Sequence, residues 1–356
     1  MEIPTRATII KQVKKSGLKI AAVLPFHYPR ALLRVYGFHP MEIWGPPHVD
    51  HLDGLQHFPE YTCKIVQNAT RFLLDLPTAT IDCILIPHTC DSLQGMASVL
   101  KDFIKPDQPI LTIYHPRGRR ESDLLFMEKE LKCLAKNLEA VSGKMPTNEE
   151  FSAAIELEDE ATGLLAEISQ HRATYDVSDR EFYTLLRSRE YLPTEQFIQV
   201  ANNVPKGIPE LKGPGLMISG IVPEPLELFD RINDLGAHVV IDDLACCSRR
   251  IYKTFKEADP FKRMAKQLIS MPPDTTVSTP YRERFDYLTQ QMQKSHARGV
   301  LVYNVKFCEP ELFYIPMFEQ TMKDAGWPFL FIETELSPEI PQQVLNRINS
   351  FVEVLS

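Results

Sequence analysis

Two segments of the chain place a cysteine and an acid at matching points of one pattern. Asp82–Tyr114 reads DCILIPHTCDSLQGMASVLKDFIKPDQPILTIY, and Gly299–Glu333 reads GVLVYNVKFCEPELFYIPMFEQTMKDAGWPFLFIE. Each predicts an apolar strand, a short turn, the cysteine with its acid, an amphipathic helix and a second apolar strand. The matched cysteines are Cys90 and Cys308, three residues past Pro87 and Val305. Both fall at an expected helix N-terminus, where free N–H groups and the helix dipole favour a thiolate. Asp91 and Glu309 suit the first turn that follows. A third cysteine, Cys63 in PEYTCKIVQNATRFLLDL, begins another amphipathic segment. In open parallel sheets ligands gather beyond the carboxyl ends of the strands. If all three thiolates meet on that rim, they suit an iron–sulfur cluster with one iron left open.

Other chemistry fits less well. A single cysteine on an apolar segment is most often a small buried hydrophobe, and Cys83 and Cys133 fit that description. Cys246 and Cys247 are adjacent, and neighbours seldom ligate one ion together. Structural zinc is disfavoured because the local C-x₂₋₄-C spacing is missing. A catalytic thiol at Cys90 would draw on His88, two residues before it. His27 and Tyr28 follow the first strand and could face the same cleft, or only form the turn before Pro29. Arg117, Arg119 and Arg120 in HPRGRRES could meet phosphates, an acidic partner or water. The run EDEATGLLAE reads as a solvated helix face.

Strands and helices alternate to carry these residues. Leu18–Phe26 is a continuous apolar run, as expected of a buried parallel strand. Pro29 opens a short helix that Gly37 ends, and Met41–Trp44, Cys83–Pro87 and Pro109–Tyr114 supply further strands. Glu121–Asn202 has few strand signals and predicts three or four helices, with the KMPTNEE turn between the first two. The opening pattern then recurs: Gly215–Ile221, prolines 223 and 225, the helix LELFDRINDLG, and His238–Ile241. Ala245–Thr289 reads as an irregular, helical insertion. Gly299–Val305, a helix, Phe329–Ile332 and a helix over Gln342–Leu355 close the chain. The expected class is α/β, with two doubly wound parallel-sheet domains of about four strands each, related by internal duplication. The boundaries are an α/β domain over 1–120, a helical bracing segment over 121–210 and an α/β domain over 211–356.

Composition excludes some functions. A chain of 356 residues favours more than one domain. Its net charge of -8 argues against a nucleic-acid footprint. No apolar run approaches the roughly 20 residues of a membrane span. The start, MEIPTRATIIKQVKKSGLKI, lacks the uninterrupted apolar stretch of a signal peptide. The expectation is a cytoplasmic protein whose seven cysteines are reduced, so special ones serve as ligands or nucleophiles.

From about Leu18 to its end the chain resembles subunits of the 2-hydroxyacyl-CoA dehydratase/benzoyl-CoA reductase family. The stretches that carry the resemblance are YPRALLRVYGFHPMEIWG, PHTCDSLQGM, RRESDLLFMEKEL, GIVPEPLELFDRINDLGAHVVIDDLACCSRR and KFCEPELFYIPMFEQTMKDAGWPFLFIETE. The resemblance implies a [4Fe–4S] cluster on Cys63, Cys90 and Cys308. It implies a paralogous iron–sulfur subunit as dimer partner and a separate ATP-hydrolysing activator that injects a low-potential electron. It implies action on a CoA thioester, by dehydration or by ring reduction. No Walker A motif is present, so ATP use falls to the other protein. Two departures stand out. Ala31 occupies a place where members often carry glutamate, and Lys64 and Ile65 replace the Ser-Tyr that often follows the first cysteine. An electron-relaying partner subunit that does no chemistry itself is therefore the alternative, with a double-cubane reductase of small molecules as a third reading.

Overall fold

The computed structural model of the chain describes residues 2–24, 27–44, 57–210, 213–277 and 279–356. Two all-parallel, four-stranded sheets form its frame. The first contains β1 (Lys19–Val23), β2 (Phe38–Glu42), β3 (Cys83–His88) and β4 (Ile110–Tyr114), in the order β2-β1-β3-β4. The second contains β5 (Gly215–Gly220), β6 (His238–Leu244), β7 (Gly299–Val305) and β8 (Phe329–Thr334), in the order β6-β5-β7-β8. The two orders are the same, so the repeat seen in sequence is a repeat of topology. β5 and β7 are buried along their whole length, which explains their unbroken apolar runs.

The boundaries moved where local signals competed. The first strand ends at Val23, and the expected continuation over Pro25–Phe26 lies outside the described residues. β2 begins three residues earlier than expected, directly after Gly37 (φ 82°), and runs through Pro40. Proline is tolerated there because β2 is an edge strand. α1 (Arg6–Lys15) was not foreseen. Thr5 caps it by accepting from the Thr8 amide, and Ile9 and Val13 fix it to the core.

α2 (Arg30–Val35) follows Pro29, which takes the capping position. α3 (Lys64–Asp75) and α4 (Asp91–Val99) flank β3. The middle segment is four helices: α5 (Glu121–Ser142), α6 (Asn148–Gln170), α7 (Asp179–Ser188) and α8 (Thr194–Asn202). Thr147 and Glu150 cap α6 reciprocally. After α9 (Glu227–Asp234), the insertion carries α10 (Pro260–Ile269) and α11 (Tyr281–Ser295). The single helix expected after Cys308 is broken into α12 (Glu309–Leu312) and α13 (Ile315–Asp324), and α14 (Gln342–Leu355) ends the fold. No helix among the described residues is long and apolar enough to cross a membrane.

The sheets share one core, and the second sheet has a further cluster of its own around Met217, Val300, Phe285 and Phe318. One continuous apolar cluster includes Ile20 and Ile86 of the first sheet with Ile218 and Leu301 of the second. The opposite face of the first sheet is covered by α5 together with Met264 and Leu268 of α10, which lies in the second half of the chain. α6 packs on α2, and α7 packs on α9, so the middle helices touch both repeats.

Candidate functional site

Cys63, Cys90 and Cys308 are each the residue that caps a helix, of α3, α4 and α12 respectively. β3 delivers Cys90 and β7 delivers Cys308 beyond their carboxyl ends. At Cys308 the turn is sharpened by Phe307, a non-glycine residue at φ 63°. α3 reaches the second repeat through the Lys64 amide, which donates to the Lys306 carbonyl at 3.4 Å. Glu335 adds ion pairs to Lys64 at 3.6 Å and to Lys306. These contacts hold the N-terminus of α3 against the end of β7.

The three thiols sense one another. Contact with the Cys308 thiol, opposed by burial and aided by the Ile65 and Val66 amides, pulls Cys63 below the ordinary thiol range. The same contact with Cys63, then burial, holds Cys308 well above that range, with Glu311 and Cys90 adding to it. Burial pushes Cys90 up to about 12, and Cys63 adds to the effect against the Leu93 and Ser92 amides. Cys63 and Cys308 thus sit buried and Cys90 half-buried, each at a helix N-terminus. Among the described residues no three His, Cys, Asp or Glu side chains are arranged to hold a single metal ion. A cluster spreads its ligands over separate irons, so its donors stand wider than those of one ion.

The other cysteines separate from this trio. Cys83 is fully buried in β3, as expected. Cys133, expected to be a buried hydrophobe, is exposed on α5 because it falls on that helix's outer face. Cys246 and Cys247 are fully buried with their sulfurs 3.4 Å apart, and both are free thiols.

His88 packs edge-on against Tyr114, with ring centroids 4.4 Å apart, and neither ring nitrogen has a hydrogen-bond partner among the described residues. Burial, then Lys101, lowers its basicity. His27, at φ 58°, places Nε2 3.8 Å from Asp274 Oδ1 and Nδ1 2.7 Å from the Met271 sulfur. It lines two adjoining cavities. The inner one, about 50 Å³, also has Tyr28, Arg30, Ala31, Glu42 and Arg250 in its wall. The outer one, about 180 Å³, has Arg117, Arg119 and Glu283. Arg119 is engaged with Glu283 at 2.7 Å and with the Met271 carbonyl at 3.0 Å. Arg120 turns away to Asp123.

Buried ionic networks were not foreseen. Asp243, at the end of β6, takes Arg249 at 2.9 Å and Arg284 at 2.6 Å. Both guanidiniums also reach Glu311, one turn past Cys308, and Arg249 reaches Asp274 at 3.1 Å. Burial opposes ionisation of Asp274, yet Arg249 and His27 keep it well below the carboxylate range. The network therefore connects the loop of His27 with the turn of Cys308. Glu42 of β2 binds Arg250 at 2.7 Å and ties the first sheet to the segment that follows β6. Glu158, in the run expected to be solvated, is 1% exposed and binds Arg30 and Arg189. Helical charge spacing alone cannot reveal that a partner waits on another element. The acids and arginines bracketing DDLACCSRR, just past a strand, were the available signal.

Residues 25–355 match the family model described as 2-hydroxyglutaryl-CoA dehydratase, D-component. The chain is 24% identical over 355 residues to the (R)-phenyllactyl-CoA dehydratase beta subunit of Clostridium sporogenes, covering 98% of this chain and 94% of that protein. It is 22% identical over 367 residues to the (R)-2-hydroxyglutaryl-CoA dehydratase subunit beta of Acidaminococcus fermentans, covering 98% and 95%. It is 23% identical over 349 residues to a subunit of the benzoyl-CoA reductase of Thauera aromatica, covering 94% and 90%.

Proposed function

Because the chain belongs to the family of the 2-hydroxyglutaryl-CoA dehydratase D-component, we propose that it is the [4Fe–4S]-carrying subunit of a CoA-thioester dehydratase or reductase. Cys63, Cys90 and Cys308 hold the cluster in this reading. The observation that carries it is three thiols, each at a helix N-terminus, two buried and Cys90 half-buried, that perturb one another. Burial, with Cys63, holds Cys90 above the ordinary thiol range, and Cys63, with burial, holds Cys308 there; a cationic iron group bound to them would favour their ionised forms. When bound, such a group supplies one-electron chemistry and an open iron that acts as a Lewis acid. The chain's own part is to position that group, exclude water and keep the thiolates at fixed spacing.

The names of the relatives, all subunits, support a partner subunit. The low-potential electron comes from a separate ATP-hydrolysing activator, since the chain carries no Walker A motif. Arg117 and Arg119 line the outer cavity, and in this reading Arg119 exchanges its Glu283 partner for a phosphate of a CoA thioester.

Anaerobic purification tests this. About four irons per chain are expected, and serine at Cys63, Cys90 or Cys308 removes them while Cys133→Ser does not. An iron-free wild type from a strictly anaerobic preparation sinks the reading. A second reading, an electron relay that leaves substrate to its partner, is favoured by Ala31, which puts a methyl group in the wall of the inner cavity. A structure of the complex with CoA thioester bound only at the partner's cluster selects it.

A further inference from the structure

The inner cavity carries more positive than negative charge. Arg30, Arg189 and Arg250 line it with one carboxylate, Glu42. Glu42 accepts from Arg250 at 2.7 Å and faces Arg30 at 3.4 Å. Behind the wall, Glu158 serves Arg189, Arg30 at 3.3 Å and Arg34 at 3.5 Å. Four guanidiniums therefore share two buried carboxylates. Glu190, whose charge also reaches Arg250, is taken by Arg6 and Arg187, and Glu195, 56% exposed, pairs with Arg34. Surplus buried charge is costly unless something balances it.

Two donors point to what that balance is. Arg250 is 9% exposed, and its Nε has no hydrogen-bond partner among the described residues. Nη2 of Arg30 is buried in the same condition. A buried donor left unmade costs on the order of 1–3 kcal/mol, more on a charged group. Nearby His39 reports the field: burial and then Arg30 lower its pKa to about 4. Water could fill the donors but not the charge. A carboxylate does both, because its two oxygens match guanidinium geometry. The space of about 50 Å³ beside the Ala31 methyl is small, so the group that enters is a carboxylate with little attached at that end.

We propose that this cavity is a binding site for a small carboxylate, held by the Arg30 and Arg250 guanidiniums and floored by Ala31. The carboxylate is either a free small acid or the end of a longer molecule that enters through the outer cavity past His27 and Met271, which line both spaces. This does not depend on the iron–sulfur reading.

Calorimetric titration of the full chain at constant ionic strength tests it, with acetate and monomethyl glutarate as probes and chloride as control. Acetate should bind saturably, at least tenfold more tightly than chloride. Arg30→Gln should abolish that binding while folding normally, because Glu42 keeps Arg250 and Glu158 keeps Arg189 and Arg34. Ala31→Glu, which supplies a carboxylate from within, should also abolish it. Binding of monomethyl glutarate as well as acetate identifies the end of a longer molecule, and binding of acetate alone identifies a free acid. Equal responses to acetate and chloride, or acetate binding that survives Arg30→Gln, overturn the proposal.

Discussion

At the scale of single residues, position in the fold decides what each ionisable side chain becomes. The cysteines of one chain range from a strand interior at Cys83 to an exposed helix face at Cys133, with Cys63, Cys90 and Cys308 at helix N-termini. Histidines show the same dependence. His39 is 4% exposed, and its Nε2–H donates to the Tyr191 carbonyl at 2.9 Å. Burial, with Arg30 adding to it, lowers its pKa from 6.5 to about 4. Below pH 6.5 the unfolded chain therefore binds a proton that the folded chain refuses. Stability should fall as pH drops from about 6.5 toward 4, by on the order of 3 kcal/mol for this residue. Urea midpoints at pH 7 and pH 5 measure the drop. His39→Gln, which keeps an N–H for Tyr191, should shrink it, and an unchanged drop in that variant would show the assignment to be wrong.

At the scale of elements, the site depends on how two strands end. β3 and β7 occupy equivalent places in their sheets and each hands its cysteine to a helix N-terminus. β7 is seated by close approach of β5. Gly220, at φ 146°, lets the end of β5 lie against it, and a Cβ there would fall 2.3 Å from the Tyr303 carbonyl oxygen. That neighbour is backbone, so one strand must shift. Gly220→Ala should cost at least about 3 kcal/mol, the sum of backbone strain and steric conflict. Because β7 delivers Cys308, iron held by the proposed cysteine site should be lost together with the thermal midpoint. A variant with wild-type stability would show that this contact yields freely.

At the scale of the whole molecule, the two repeats are one cooperative body. They share a continuous apolar cluster, and α10 of the second half covers the first sheet. Glu42 of the first half and Arg250 of the second add a buried ion pair that no single repeat can complete. A cut at residue 210 would expose the β1–β3 face and leave charges without partners. The fragments 1–210 and 211–356 should therefore show no cooperative transition by themselves, while the full chain melts in a single calorimetric step. Two separate steps in the full chain would mean that each repeat holds a core of its own.

The sequence alone determined the class of the fold and the duplication, and it put Cys63, Cys90 and Cys308 at helix starts. Those signals are local: buried strands are read as apolar runs, and helix starts are marked by what precedes them. The resemblance named the family for the same reason, since its motifs are contiguous stretches around those starts. Tertiary structure decided the rest. It joined the repeats into one core, buried Glu158 in a run that reads as solvated, exposed Cys133, and assembled Arg30, Arg250 and Glu42 around a cavity. Each of these depends on partners far apart in the chain, as Glu42 and Arg250 are, and no spacing rule reaches across such a gap. Burial and charge balance are properties of the packed surface, and they exist only once the elements have met.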